Sequence, residues 1–288
     1  YLEDTCSDFS FWTNVKAINH NVDVMVSPDS TYNVQDIIKN NDLQSKIIIP
    51  NVQKLIDNIL DGLIITDLKK LVMTISSAVV TYILNQLLTN TDPKVRQVAE
   101  SHDWYIFPVI NPDGFVYTHT TDRAWRKTRV SHGDTCVGAD PNRNWGYHYN
   151  EGGANNDPCS NNYCGPEAFS EPSMKSLSEF ISTIGESLEG YISFHSYSQI
   201  FTFVIWYTVG LKAIDALAQR YGTEYRIDIA SGGSPDWIKG SFGTRITYTY
   251  ELRDTGENGF LLPAEQILPT TEETFDSFIT IFQEWSVV

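Results

Sequence analysis

Short apolar runs alternate with stretches of helical periodicity along most of the chain, and this alternation narrows the fold more than any other feature. Residues 22–26 read as a strand, 34–40 as a helix, 46–49 as a strand and 52–60 as a helix, with Pro28 and Pro50 at turn positions. Beyond them, residues 79–88 are helical, with Val79, Ile83 and Leu87 on one face. Residues 103–110 read as a strand ending at the turn signal Asn111-Pro112-Asp113-Gly114. A helix is expected at 173–184, a strand at 191–195, a helix at 212–221 and a strand at 246–252. Residues 265–284 close the chain as a helix that Pro269 breaks or bends. This order predicts an α/β fold with a mixed central sheet and helices on both faces, preceded by a small α/β segment. The expected division is 1–60 and 61–288.

Residues 131–172 interrupt the alternation with crowded Asn, Gly, Asp and Pro. So long an irregular stretch in a compact domain is functional or covalently held. With 288 residues, 41% of them hydrophobic, the chain has the material for a real core and is not a disordered one. Its 20 basic and 36 acidic residues leave a formal charge of −16, which repels nucleic-acid backbones and anionic membrane surfaces. Residues 71–88 are the most apolar run, but Thr74, Ser76, Ser77, Thr81, Asn85 and Gln86 interrupt it, so a strand end and a core helix are expected, not a membrane span. The four cysteines, Cys6, Cys136, Cys159 and Cys164, form no C-x-x-C pair, which leaves a disulfide in an oxidising compartment as the expected use. No basic-then-apolar leader opens the chain at Tyr1, so any export signal is taken to have been removed or to lie outside the sequence.

The histidines are His20, His102, His119, His132, His148 and His195. The one H-x-x-E string is His148 to Glu151, but it sits in the loop-rich segment without a helical frame, and a surface pair is the favoured reading. His195 ends an apolar strand, where α/β sheets gather ligands, although a lone histidine there is more often a hydrogen-bonded core residue. Glu251 also ends a strand and is either a general base or the ion-pair partner of Arg253 or another arginine. Arg126, and Asn142 with Arg143, offer forked donors suited to a carboxylate. Gly232-Gly233 reads as a turn. No nucleophile elbow, phosphate loop or dinucleotide fingerprint appears.

Six strings then fall in one order: Asn111-Pro112-Asp113-Gly114, Ala124-Trp125-Arg126-Lys127-Thr128-Arg129, Asp140-Pro141-Asn142-Arg143-Asn144-Trp145, Ser193-Phe194-His195-Ser196-Tyr197-Ser198-Gln199, Ala230-Ser231-Gly232-Gly233-Ser234 and Glu251-Leu252-Arg253-Asp254-Thr255-Gly256. Together they resemble the zinc metallocarboxypeptidases of the carboxypeptidase A and B type. Residues 8–60 resemble the end of that family's activation propeptide, so the whole chain looks like a zymogen. The resemblance implies zinc as cofactor, with His195 as one of three ligands. It implies Glu251 as general base, Arg126 as oxyanion stabiliser, Asn142 and Arg143 as the holders of a substrate's terminal carboxylate, and Asp140 as acceptor for a ligand histidine. It pairs Cys136 with Cys159 and leaves Cys6 and Cys164 without an assigned partner. It implies a secreted, extracellular monomer acting on peptide or protein C-termini and inhibited by its own propeptide, with no nucleic-acid or membrane partner. Pro235, where basic-specific relatives tend to carry an acid, points to apolar or aromatic C-terminal residues.

The chain departs from the family before Ala78. The family takes its other two zinc ligands from a His-x-x-Glu segment there, but residues 67–77 contain neither residue, and Ser76 and Ser77 flank the place where the segment belongs. Shortening is also expected between about Asn58 and Gly62, after Gln199, and after Tyr225, where Asp228 stands near the position of the family's mobile tyrosine. Three readings follow: a zinc carboxypeptidase whose working form carries the segment, an inactive relative that binds peptide C-termini through Asn142 and Arg143, and a protein that keeps only the fold.

Overall fold

The computed structural model describes residues 9–11, 24–26, 31–41, 44–45, 75–133, 136–151, 153–203, 207–228 and 233–285. The chain divides into two compact units, Tyr1–Leu55 and Ile56–Val288. In the first, β1 (Phe9–Phe11) pairs antiparallel with β2 (Val24–Val26), and α1 (Thr31–Asn40) follows. The strand expected at 46–49 and the helix expected at 52–60 lie outside the described residues.

The first described element of the second unit is α2 (Ile75–Thr89), whose Val79, Ile83 and Leu87 face the core as the periodicity requires. The next helix, α3 (Pro93–Glu100), starts where Asp92 accepts the Lys94 N–H at 2.8 Å ahead of a first-turn proline. Residues 103–110, expected as a strand, belong to none, and 111–114 is a helix start, not a turn. The Asn111 side chain accepts the Gly114 N–H at 3.2 Å and Pro112 takes the first position of α4 (Pro112–Thr120). Asn-Pro-Asp-Gly serves a turn or a capped helix equally well, and here the cap wins. Without a ladder, Tyr105 and Phe107 are 50% and 46% exposed.

After the loop-rich segment come α5 (Pro172–Ile184), β3 (Gly190–Ser196), β4 (Ile200–Phe203), α6 (Tyr207–Tyr221), β5 (Arg226–Asp228), α7 (Ser234–Phe242), β6 (Ile246–Leu252) and α8 (Ile267–Trp285). Sequence reading missed α3, β4, β5 and α7, and of the expected turn at Gly232-Gly233 the described residue, Gly233, is the N-cap of α7. Pro269 does not break α8, because it falls in the first turn, where its missing N–H has no helical partner to lose.

The sheet runs β3-β6-β4-β5. β3 and β6 are parallel, β4 is antiparallel to β6 and parallel to β5, so the sheet is mixed. Ile246, Tyr248, Tyr250 and Leu252 alternate along β6 into a core shared with Phe201 and with α2, α6 and α8. A second cluster of Trp145, Met174, Ile181, Trp237 and Ile238 involves α5 and α7. Helices therefore cover both faces. No described helix is long and apolar enough to cross a membrane. Cys136 and Cys159 are joined by a disulfide across the loop-rich segment, and Cys164 is a buried free thiol.

Candidate active site

The alternation that sends Tyr248 and Tyr250 into the core turns Thr247, Thr249 and Glu251 to the opposite face of β6. On β3 the same parity turns Ser193 and His195 that way, because Ile192 and Phe194 pack on the core. The register then sets His195 directly beside Glu251, and Ser193 bonds Thr249 at 2.9 Å one step back. Burial, and then the Arg126 charge, pull the His195 imidazole down to about 4, so it is neutral at physiological pH. Burial pushes Glu251 up to about 7, with Arg126 opposing the rise. Arg253 leaves Glu251 alone: its Nε donates to Glu273 Oε1 at 2.8 Å, so the expected ion-pair alternative for Glu251 is not formed with it.

The cations come from a short ladder at the edge of the loop-rich segment. The Thr128 N–H donates to Ala139 O at 2.9 Å and the Gly138 N–H to Val130 O at 2.8 Å. Gly138 sits at φ 78°, and a Cβ there would lie 2.0 Å from Thr128 O, so only glycine closes this ladder. The ladder brings Arg126 to Asp140, whose Oδ2 accepts from Nε at 2.9 Å and Nη2 at 2.8 Å. Asp140 Oδ1 takes the Asn142 N–H at 2.9 Å. Among the described residues Asp140 thus serves Arg126 and Asn142. Arg143 Nη1 donates to Asn142 O at 2.8 Å, while its Nε is buried with no partner among the described residues. Asn142 lies against Gly233, where an added Cβ would meet Asn142 Oδ1 at 2.6 Å.

Arg126, Asn142, Arg143, His195 and Glu251 line one cavity of about 430 Å³, together with Thr202, Asp228 and Pro235. The sequence expectations thus converge in space. The cavity has a cationic end suited to a carboxylate and, beside it, a neutral imidazole and a carboxyl that titrates near neutrality. His148 and Glu151 lie outside it, bonded to each other at 2.8 Å with both side chains mostly exposed. Sequence reading gave no role to Thr128, Asn144 or Glu171, all buried beside the cationic ladder. Thr128 and Asn144 stand inside two of the six strings. Nothing local marks Glu171, whose contacts come from far along the chain.

Zinc needs three protein donors and an open position. His195 supplies one imidazole, and no group of three His, Cys, Asp or Glu converges among the described residues. The sequence has no glutamate between Glu3 and Glu100 and no histidine between His20 and His102. Among the described residues the donor set is therefore one imidazole, short of the three donors a zinc site takes.

Comparison with known proteins agrees with the order of motifs. The zinc carboxypeptidase family model matches residues 74–277, and the carboxypeptidase activation peptide matches residues 1–59. A zinc carboxypeptidase of Simulium vittatum is 48% identical over 231 residues, covering 73% of this chain and 76% of that protein. Zinc carboxypeptidase A 1 of Anopheles gambiae is 48% identical over 233 residues, but only 54% of its length is spanned. Bovine thrombin-activatable fibrinolysis inhibitor, solved with a tick carboxypeptidase inhibitor, superposes with a TM-score of 0.62 at 32% identity, over 73% of this chain and 78% of that one. The carboxypeptidase A of Helicoverpa armigera shares the fold, with a TM-score of 0.68 at 18% identity over 98% of this chain and 92% of that one. On its motifs, its sheet and these matches, the chain belongs to the zinc carboxypeptidase family.

Proposed function

We propose that the cavity recognises the free C-terminal carboxylate of peptides and proteins and serves hydrolysis of their last peptide bond. One observation carries the reading: Arg143 Nε, buried and without a partner among the described residues, belongs to a side chain that lines the same cavity as Asn142 and Arg126. A buried donor without an acceptor is costly, and a ligand carboxylate would satisfy it with charge-assisted bonds. The preferred C-terminal residue is apolar or aromatic, in keeping with Pro235, Ile200 and Phe260 in the cavity wall.

A chain that binds such ends without hydrolysing them is the second reading, favoured by the lone imidazole among the described residues. Hydrolysis is supported by Glu251, which at about 7 is poised to take a proton from water, and by Arg126, a cation in the same cavity suited to an oxyanion. It belongs to a form of the protein that carries the family's His-x-x-Glu segment between Ser76 and Ser77. In that form the first 60 or so residues would act as an inhibitory propeptide, with the catalytic domain from about residue 61. Secretion as a monomer completes the proposal, and the Cys136–Cys159 disulfide fits an oxidising compartment.

Calorimetry with a Phe-ended peptide and its C-terminal amide, in the presence of chelator, tests recognition. Tight binding of the acid alone is expected, and equal binding of both sinks the reading. Tryptic mapping separates the two forms. A peptide spanning residues 71–94 with Ser76 bonded to Ser77 belongs to the non-hydrolysing form, and a longer one carrying His-x-x-Glu to the peptidase.

A further inference from the structure

Glu171 sits at the N-cap position of α5, yet its carboxylate makes no cap. It is fully buried. One oxygen accepts from the Thr128 hydroxyl. The other faces His132 Nε2 at 2.6 Å and, at 3.3 Å, the Ser170 hydroxyl. Its backbone N–H is held by Asn144 Oδ1 at 3.0 Å. Glu171 does not line the cavity that holds Arg126, Asn142 and Arg143.

A carboxylate can only accept, so the single hydroxyl proton of Thr128 is committed to Glu171. The Thr128 oxygen is then left as an acceptor, and the Ala139 N–H donates to it at 3.0 Å. Thr128 N–H returns a bond to Ala139 O at 2.9 Å. Ala139 directly precedes Asp140, the residue that grips Arg126 and the Asn142 N–H. The Thr128 hydroxyl thus links Glu171 to the ladder that presents the cations.

We propose that Glu171 is a positioning residue for the carboxylate-binding groups, acting through Thr128 and Ala139 on Asp140, Arg126 and Asn142. The binding part of this inference rests on the carboxylate reading of the cavity, while the positional part does not.

The test uses two pairs of variants of the full chain. Glu171→Ala removes the acceptor and Glu171→Gln keeps an oxygen for Thr128. Thr128→Val removes the hydroxyl and Thr128→Ser keeps it. In folded Glu171→Ala and Thr128→Val, the Arg126 Nε–H resonance is expected to shift and the Ala139 and Asn142 amides to exchange about tenfold faster, for the loss of one hydrogen bond to a charged group. Amides in the middle of α5 should keep their rates. Preference for a free-acid peptide over its amide should fall about tenfold in both, stay near wild type in Glu171→Gln and Thr128→Ser, and fall no further in the Glu171→Ala/Thr128→Val double variant. An unmoved Arg126 resonance with unchanged exchange at Ala139 and Asn142 overturns the proposal, as does an additive double variant. If Glu171→Ala does not fold, the contrast between Thr128→Val and Thr128→Ser decides on the same readouts. If the wild-type chain fails to tell acid from amide, the carboxylate reading falls, and the resonance and exchange data still decide the positioning.

Discussion

Arg143 donates Nη1 to the Asn142 carbonyl and lines the cavity with Asn142 and Arg126. Arg143→Ala should weaken binding of a free-acid peptide by about 2 kcal/mol, roughly thirtyfold, and leave the amide's affinity unchanged, by calorimetry. Asp254 illustrates a different use of charge. Burial alone would raise its carboxyl, but bonds from the Gly256 N–H and from the Asn258 N–H and side chain, at 2.8 Å each, hold it below its ordinary value. A lowered carboxyl stabilises the fold above its ordinary titration range, and that contribution disappears as pH falls through the folded value. Asp254→Asn should therefore melt below wild type from pH 5 to 8, and the gap should close as pH drops below about 4 in thermal scans.

Among the elements, the ladder from Thr128 to Asp140 depends on one backbone position. Gly138→Ala forces a Cβ onto Thr128 O, at a cost of at least about 1–3 kcal/mol, measurable by urea unfolding. β6 was legible in the sequence from end to end, because its alternation is local and its buried and cavity faces differ in chemistry. Residues 103–110 have the composition of a strand, but a strand exists only through a neighbour, and pairing is not written in the segment itself. The strings singled out His195, Glu251, Arg126 and Asn142-Arg143, and these line one cavity. Glu171 was not legible, since its meaning lies in Thr128 and His132, some forty residues away along the chain. The start of α4 was misread because a cap and a turn ask for the same residues.

For the molecule as a whole, metal content separates the two readings. A form carrying the His-x-x-Glu segment should hold one zinc per molecule by atomic absorption and lose melting temperature on chelation, whereas a chain with His195 as its one ligand should carry far less and keep its melting temperature within about 1 °C, since a ligand that does not bind the native state cannot stabilise it. The disulfide between Cys136 and Cys159, separated by 23 positions, has a consequence for the lifetime of such a molecule among proteases. A cut at any exposed bond between those cysteines opens the backbone without releasing a fragment. The two pieces stay covalently joined, so the nicked protein runs as one band on a gel until a reducing agent parts it.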